Sequence, residues 1–411
     1  MFITTSSGHN YSYLRQSGEI VSGIIEDDKK DWIYDSFSSF CSMPYVDHYI
    51  IGVTEQCNLR CTYCCYSGSY ANSRKHSNKR MSENDIDEAY SFIEKLAPNR
   101  PLYITFYGGE ALMNLAVVRY AVSKGKEMWG NNVLFSISSN GVLLKEKMLD
   151  WIVKENISLD LSLDGPAEIH DRQRIDRYGR GSFDKVRHSL HYLKANYPNY
   201  LSQHVRLLMT LVSRNDIIEI ARMWNEDDLL QDIAPSKISG LSPNFANGFD
   251  LVEYEEVKAF YQMLLQTYIE HPNWMVLKKY LMQCVDDWKT RPILDADKTM
   301  PLSTCLPLNT KLYIDADGQI AVCEKIADKY RIGDVHNGID WEKANALALE
   351  YYNLRNGRCN YCEAVRMCYQ CLTNVEFNNE QWEMLCHNDR VYTKVYFWLF
   401  CEMTERGLIE C

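Results

Sequence analysis

The run CNLRCTYC near the start of the chain constrains it more than any other feature. Cys57, Cys61 and Cys64 stand at C-x3-C-x2-C spacing, which offers three thiolates to one metal centre and withholds a fourth. A [4Fe–4S] cluster is normally held by four cysteine thiolates. Three leave one iron open to a small molecule that can bind there and receive an electron. The alternative for the same residues is a zinc site. Cys65, next to the last of the three, is expected to pack as a small apolar residue rather than to coordinate.

The surroundings of the run add to it. It follows an apolar, strand-like stretch, HYIIGVT (His48–Thr54), and an aromatic, Tyr63, precedes its last cysteine. Downstream, YITFYGGE places Gly108-Gly109-Glu110 at the end of a second strand-like run. Together these residues resemble the radical SAM superfamily. The resemblance implies a cluster that binds S-adenosylmethionine at its open iron and cleaves it reductively to methionine and a 5′-deoxyadenosyl radical, which takes hydrogen from a substrate. It also implies that Gly108 and Gly109 let the backbone approach the methionine end of the cofactor, and that Glu110 receives its ammonium.

Composition narrows the setting. The 411 residues are enough for a large core and a second module. A net charge of −11 and the lack of a basic patch argue against a nucleic-acid partner. The N-terminal stretch MFITTSSGHNYSYLRQ has no charged segment followed by an apolar core, so no signal peptide is expected. No stretch approaches the roughly 18 apolar residues of a membrane span. In such a chain 15 cysteines point to metal sites rather than disulfides. The expectation is a cytoplasmic iron–sulfur protein.

The cysteines form a second group near the C-terminus. Cys305 is followed by Gly318-x4-Cys323, and CNYCEAVRMCYQC then gives C-x2-C-x5-C-x2-C before Cys386. This order resembles the SPASM module, a C-terminal extension of certain radical SAM enzymes that holds two further [4Fe–4S] clusters. The resemblance implies that Cys305, Cys323 and Cys371 hold the first auxiliary cluster, and that Cys359, Cys362, Cys368 and Cys386 hold the second. Two departures stand out: Cys368 and Cys371 are separated by x2 where the family has x3, and no extra cysteine lies between Cys305 and Cys323. Either Cys284 or Cys41 completes the first auxiliary cluster or one iron stays open; the open site is the expectation. Cys401 and Cys411 read as buried thiols.

Between the two groups, strand-like runs at 48–54, 102–107, 133–138, 157–163 and 205–212 alternate with helical segments, which implies a parallel sheet. Ser82 and Asp85 form a capping box for a helix whose apolar stripe is Ile86, Ala89, Tyr90, Ile93 and Leu96. The family resemblance makes the fold class α/β, a partial (β/α)6 barrel open on one side, followed by the SPASM module. The expected divisions are a cap region at 1–46, the barrel at 47–245, bridging helices at 246–304 and the cysteine-rich module with a C-terminal helix at 305–411. In the bridge, Val257, Phe260, Tyr261, Leu264, Leu265 and Tyr268 form one apolar face.

Strand ends of a parallel barrel carry its site. SISSNG (Ser136–Gly141) resembles the family's third-strand motif, which implies Ser138 and Asn140 in the cofactor pocket. LDLSLDGP (Leu159–Pro166) resembles the fourth, which implies that Ser162 binds the ribose and Asp164 shapes the loop. In the following IHDRQR, Arg174 is the candidate for the cofactor carboxylate, in competition with Arg172 and Arg177. For each of these residues an ordinary turn or cap role is the alternative.

Radical SAM enzymes with a SPASM module mostly modify peptides or proteins, which leaves two expected reactions. An open auxiliary iron that binds a substrate thiolate favours a peptide maturase forming a thioether or related cross-link. The alternative is oxidation of Cys or Ser to formylglycine, as in anaerobic sulfatase maturases, where a carboxylate follows the Gly-x4-Cys cysteine as base. Glu324 holds that place here, with an ion pair near Lys325 as its other reading. A flavodoxin or ferredoxin is the reductant that the resemblance implies. A noncatalytic electron carrier is the remaining class.

Overall fold

The structure is a computed structural model that describes residues 1–15, 17–26, 45–70, 73–97, 100–240, 250–291, 305–326, 328–368, 370–373 and 378–410. Cys41 and Cys411 lie outside the described residues. The chain begins with a small antiparallel sheet of β1 (Phe2–Thr4), β2 (Asn10–Tyr13) and β3 (Ile20–Ser22). The barrel follows with β4 (Tyr45–Thr54), α1 (Glu83–Leu96), β5 (Leu102–Gly108), α2 (Leu115–Trp129), β6 (Val133–Ser139), α3 (Glu146–Lys154) and β7 (Ser158–Ser162). Next come α4 (Ala167–Gln173), α5 (Phe183–Asn196), α6 (Pro198–His204), β8 (Val205–Leu211), α7 (Ile217–Glu226), α8 (Asp228–Gln231) and β9 (Pro235–Gly240).

Strands β4 to β9 pair in sequence order and all in parallel. This is the mixed α/β architecture with a parallel core that the alternation of strands and helices implies. Ile51, Phe106, Ile137, Leu159 and Val205 follow one another across the paired strands, and all are buried. The first helix starts at the expected box: the Asp85 N–H donates to Ser82 Oγ (3.3 Å), and the Ser82 N–H to Asp85 Oδ2 (2.6 Å). Its buried face is Ile86, Ala89, Tyr90 and Ile93, with Phe92 beside them.

The sixth parallel strand, β9, is absent from the five runs read in the sequence. Its residues, PSKISG, begin with proline and include a single aliphatic side chain, Ile238. As an edge strand of the sheet it lacks the continuous apolar run of its neighbours.

Helices α9 (Tyr254–Glu270) and α10 (Met275–Lys289) follow, and α9 buries Val257, Tyr261, Leu264, Leu265 and Tyr268. The C-terminal region then returns to the barrel. Strand β10 (Asn309–Ile314) pairs in parallel with β4, and β11 (Gln319–Ala321), β12 (Arg331–Asp334) and β13 (Gly338–Ile339) continue it as an antiparallel meander. One ten-stranded sheet therefore joins the barrel to the hairpin that ends in Cys323. Helix α11 (Trp341–Cys359) and the long α12 (Asn379–Glu405) complete the chain. The N-terminal sheet sits on α10 and α12, with Tyr13 edge-on to Trp288 at 4.9 Å and Thr5 Oγ1 donating to Glu405 (3.1 Å). No helix among the described residues is long and apolar enough to cross a membrane.

Candidate active site at the strand ends

The C-terminal ends of all six parallel strands open into one cavity of about 310 Å³. Its wall takes Cys57, Cys61 and Cys64 from the loop after β4, and Gly108, Gly109 and Glu110 from the end of β5. Ser138 and Asn140 enter at the end of β6, Ser162 at the end of β7, and Thr210 and Gly240 at the ends of β8 and β9. Arg174 also reaches it. Ten positions read from the sequence as parts of a site (the three cysteines, Gly108, Gly109, Glu110, Ser138, Asn140, Ser162 and Arg174) thus share one cavity, joined by Tyr63.

The two glycines permit a close backbone approach within the protein. A Cβ on Gly108 would stand 2.0 Å from Thr54 O, and one on Gly109 2.3 Å from Gln56 O. The Gly109 N–H donates to Thr54 O (2.9 Å) and the Glu110 N–H to Gln56 O (2.8 Å). The missing side chains let the end of β5 lie against the backbone that leads into Cys57.

Glu110 is a brace as well as a wall. One carboxylate oxygen accepts from Leu112 N (3.1 Å) and Ser139 Oγ (2.9 Å), and the other from Asn140 N (2.7 Å). Burial raises its pKa, and these three bonds oppose the rise. Asn140 in turn donates to Asn58 Oδ1 (2.8 Å) and reaches Cys57 Sγ at 3.8 Å.

Asp164 holds the cysteine loop from the other side. Its carboxylate accepts from Tyr63 Oη (2.6 Å), Arg174 Nε (2.8 Å) and Nη2 (3.2 Å), and Thr210 N (2.9 Å). Of the three competing arginines only Arg174 lines the cavity. Arg172 pairs with Asp216, and Arg177 lies on Tyr178 at the surface. Arg174 reaches the cavity already paired with Asp164, so its charge there is largely compensated.

A histidine underlies this ion pair. His170 Nδ1 accepts the Asp164 N–H (3.3 Å), and its Nε2 lies 3.0 Å from Ser182 Oγ, which donates to Arg174 O. The imidazole must be neutral to accept at Nδ1. Burial, then the nearby Arg174 charge, lower its pKa to about 4. Its contribution to stability is complete above the ordinary 6.5 and is lost as pH falls toward 4. By linkage the whole loss is on the order of 3 kcal/mol. Urea titrations at pH 7.5 and pH 5 should show the wild type losing more stability than His170→Gln. Equal losses would refute the account.

Other predicted residues lie elsewhere or act differently. Cys65 lines the cavity beside Cys64. Glu324 is half-buried and pairs with Lys311 (3.2 Å) rather than forming a surface pair with Lys325. Burial raises its pKa, but Lys311 and then Lys325 more than offset this and hold the carboxyl at about 2. It does not line the cavity, whereas its neighbour Lys325 does. Cys359, Cys362, Cys368 and Cys386 share a second, narrow cavity. Cys305 and Cys323 both act on the charge of Lys311, while Cys371 Sγ accepts from Thr373 Oγ1 (3.2 Å). Cys284 is buried on α10, against Tyr261 Oη (3.7 Å) and Tyr280 O (3.3 Å), and none of its contacts is to Cys305 or Cys323. Cys401 is buried, as expected.

Sequence reading missed His76, which meets Cys64 Sγ at 3.5 Å, and Arg74. Arg74 lies over the Tyr66 ring (3.7 Å) and donates to Glu324 O (2.7 Å) and Gly108 O (3.1 Å). It joins the cysteine loop, the barrel and the C-terminal hairpin. Neither residue belongs to a local pattern, so nothing in the sequence marked them.

The donor set suits an iron–sulfur cluster. Three thiols face one cavity, and Asn58 Nδ2 is buried beside them without a partner. Burial pushes the Cys57 thiol up to about 12 and Cys61 to about 11, so loading a cluster there must release protons. Among the described residues no three His, Cys, Asp or Glu side chains converge as on a single metal ion. Each thiolate of a [4Fe–4S] cluster binds a different iron.

Residues 51–223 match the model of the radical SAM superfamily. The chain carries a radical SAM domain. That family implies S-adenosylmethionine and one [4Fe–4S] cluster, and an enzyme. Among curated proteins the chain is similar to the radical SAM cyclopropyl synthase TigE of Paramaledivibacter caminithermalis, 29% identical over 217 residues, covering 49% of this chain and 45% of that protein. It is also similar to the cysteine-type anaerobic sulfatase-maturating enzyme of Clostridium novyi, 29% identical over 177 residues, with 42% and 45% covered. The chain thus spans about half the length of these curated relatives. In fold it resembles anSMEcpe solved with bound AdoMet, at a TM-score of 0.62 and 18% identity over 88% of this chain and 97% of that one. It also resembles Streptococcus suis SuiB solved with its precursor peptide SuiA, at a TM-score of 0.54 and 13% identity over 82% and 74%. The sheet that holds the matched residues continues into the C-terminal hairpin.

Proposed function

We propose that this chain is a radical SAM enzyme that oxidatively modifies a ribosomally made peptide in the cytoplasm, forming a thioether or related cross-link. The observation that carries the proposal is the cavity. Its wall takes the three cysteines Cys57, Cys61 and Cys64, the ends of all six parallel strands, and Lys325 from the C-terminal segment, two residues beyond Cys323, so the space beside the three thiols is also bordered by the segment that carries the second cysteine group. When bound there, the cluster and S-adenosylmethionine supply a 5′-deoxyadenosyl radical to the substrate. Cys57, Cys61 and Cys64 would hold that cluster, with Glu110 and the Asp164–Arg174 pair fixing the loops around it. Lys325, an exposed residue in the cavity wall, adds a positive charge to it.

Two auxiliary clusters belong to the same reading. Cys359, Cys362, Cys368 and Cys386 would hold one, and the four thiols lining a single cavity support this. Cys305, Cys323 and Cys371 would hold the other, with no described cysteine in its fourth place. This arrangement is that of a SPASM module, and a flavodoxin or ferredoxin would supply electrons. Relatives named for a cyclopropyl synthase and for sulfatase maturation, and neighbours solved with peptides such as SuiA, favour a peptide substrate.

Formylglycine formation is the second reading, favoured by the sulfatase-maturase relatives. Against it, Glu324 is a weak base at about 2 and does not line the cavity. The test is tandem mass spectrometry of a small cysteine-containing peptide encoded beside the gene, co-expressed anaerobically with this chain. A loss of two hydrogens with sulfur retained, and blocked fragmentation between two positions, is expected. A thiol-bearing carbon converted to an aldehyde would establish formylglycine instead, and an unchanged mass would refute the cross-link.

A further inference from the structure

The second cysteine cavity contains two donors with nothing to bond. Helix α11 presents Tyr351, Arg355 and Cys359 at four-residue spacing, so all three share one face. Helix α12 presents Trp382, Cys386 and Asp389 in the same way. Arg355 and Trp382 are each only 1% exposed, and both line the cavity with the four cysteines.

The guanidinium of Arg355 uses Nη1 toward Tyr351 Oη (3.4 Å) and Nη2 toward Val365 O (3.2 Å). Its Nε–H has no acceptor, and neither has the Nε1–H of Trp382. No carboxylate among the described residues pairs with Arg355. The one carboxylate in the wall, Asp389, is engaged by Gln370 Nε2 and by Cys368 Sγ at 3.4 Å. A buried donor without an acceptor is costly and calls for an explanation. Here two occur together, beside a buried positive charge, in the wall of a four-thiol cage.

A [4Fe–4S] cluster on four thiolates is a dianion in its oxidised form, and its sulfurs accept hydrogen bonds. Its reduction potential rises with N–H···S bonds and with positive charge nearby, because both stabilise the more negative reduced state. We propose that Arg355 and Trp382 raise the reduction potential of the cluster held by Cys359, Cys362, Cys368 and Cys386, by donating Nε–H and Nε1–H to its sulfurs and by placing one buried cation against it. The inference rests on the auxiliary-cluster reading above.

The test uses the full chain with Cys57, Cys61, Cys64 and Cys323 replaced by Ala, so that the iron retained belongs to this cage. After anaerobic loading, iron and sulfide are assayed and the cluster is titrated redox-potentiometrically with EPR detection, alone and with R355M, R355K or W382F added. R355M is expected to shift the one-electron reduction equilibrium at least tenfold toward the oxidised cluster, a fall of ~59 mV. W382F, which keeps the ring and removes only the N–H, should shift it the same way by less, and R355K should fall between wild type and R355M. An unmoved potential in W382F and R355K, with iron retained, would overturn the inference alone. Failure of the parent chain to bind iron would overturn the auxiliary cluster and the inference with it. If R355M does not load, the W382F shift or its absence decides.

Discussion

Gly109→Ala is expected to reduce 5′-deoxyadenosine formation by dithionite-reduced protein at least 100-fold. The added methyl would lie 2.3 Å from Gln56 O, 2.6 Å from Gln56 C and 2.8 Å from Glu55 O. All three are backbone atoms, so no side chain can swing aside. Either β5 or the segment before Cys57 must move, and both hydrogen bonds joining them, from Gly109 N and Glu110 N, are strained. Overpacking of this kind costs about 1–3 kcal/mol of stability, which a domain of this size can survive. The functional loss is larger, because a displacement near 1 Å at a reacting centre costs about 100-fold in rate. The measurement is deoxyadenosine by chromatography, with iron content and urea stability in parallel. A variant that turns over at the wild-type rate would show that the close approach of β5 does not position Cys57.

Asp164→Ala is expected to be the most destabilising single change in the radical SAM domain. Asp164 is 1% exposed, and its loss strands the Arg174 guanidinium, whose side chain is only 10% exposed. It also leaves Tyr63 Oη and Thr210 N without their acceptor. Breaking a buried ion pair by removing one partner costs about 3–5 kcal/mol, and the two orphaned neutral donors add to this. Asp164→Asn keeps one acceptor oxygen and should fall between the variant and wild type. Urea denaturation at pH 7 measures both. A loss under about 1 kcal/mol for Asp164→Ala would mean that water or a rearranged loop replaces the carboxylate. Because Tyr63 lies between Cys61 and Cys64, the same variant should also bind less iron at the three-cysteine loop.

How far the chain could be read in advance depended on whether a feature is local. The spacing of Cys57, Cys61 and Cys64, the glycine pair before Glu110 and the box at Ser82 and Asp85 are local patterns. Five of the six parallel strands were legible because each is an apolar run of the right length. The sixth was not, since an edge position lets PSKISG keep polar residues in place. Cavity-lining serines and Asn140 were legible from their positions at strand ends, which a parallel barrel gathers at one face.

Partnerships across the fold were not legible. Arg172, Arg174 and Arg177 all follow Asp164, and composition cannot say which turns inward; the Asp164 carboxylate, held also by Tyr63 Oη and Thr210 N, pairs with Arg174. Glu324 has Lys325 next to it in sequence, yet in the turn that follows β11 its ion pair is with Lys311 on the neighbouring strand β10. Cys65 adjoins a cluster cysteine and faces the cavity, while Cys284, free to be a ligand by sequence, is enclosed by tyrosines. The orphan donors of Arg355 and Trp382 exist only because α11 and α12 meet around one cage. By itself the sequence determined which thiols are spaced to share a metal centre and which segments form strands and helices, since both follow from covalent distance and short-range periodicity. The tertiary structure decided which charges meet, which glycine faces a backbone and which buried donors await a partner, because those depend on packing between segments far apart in the chain.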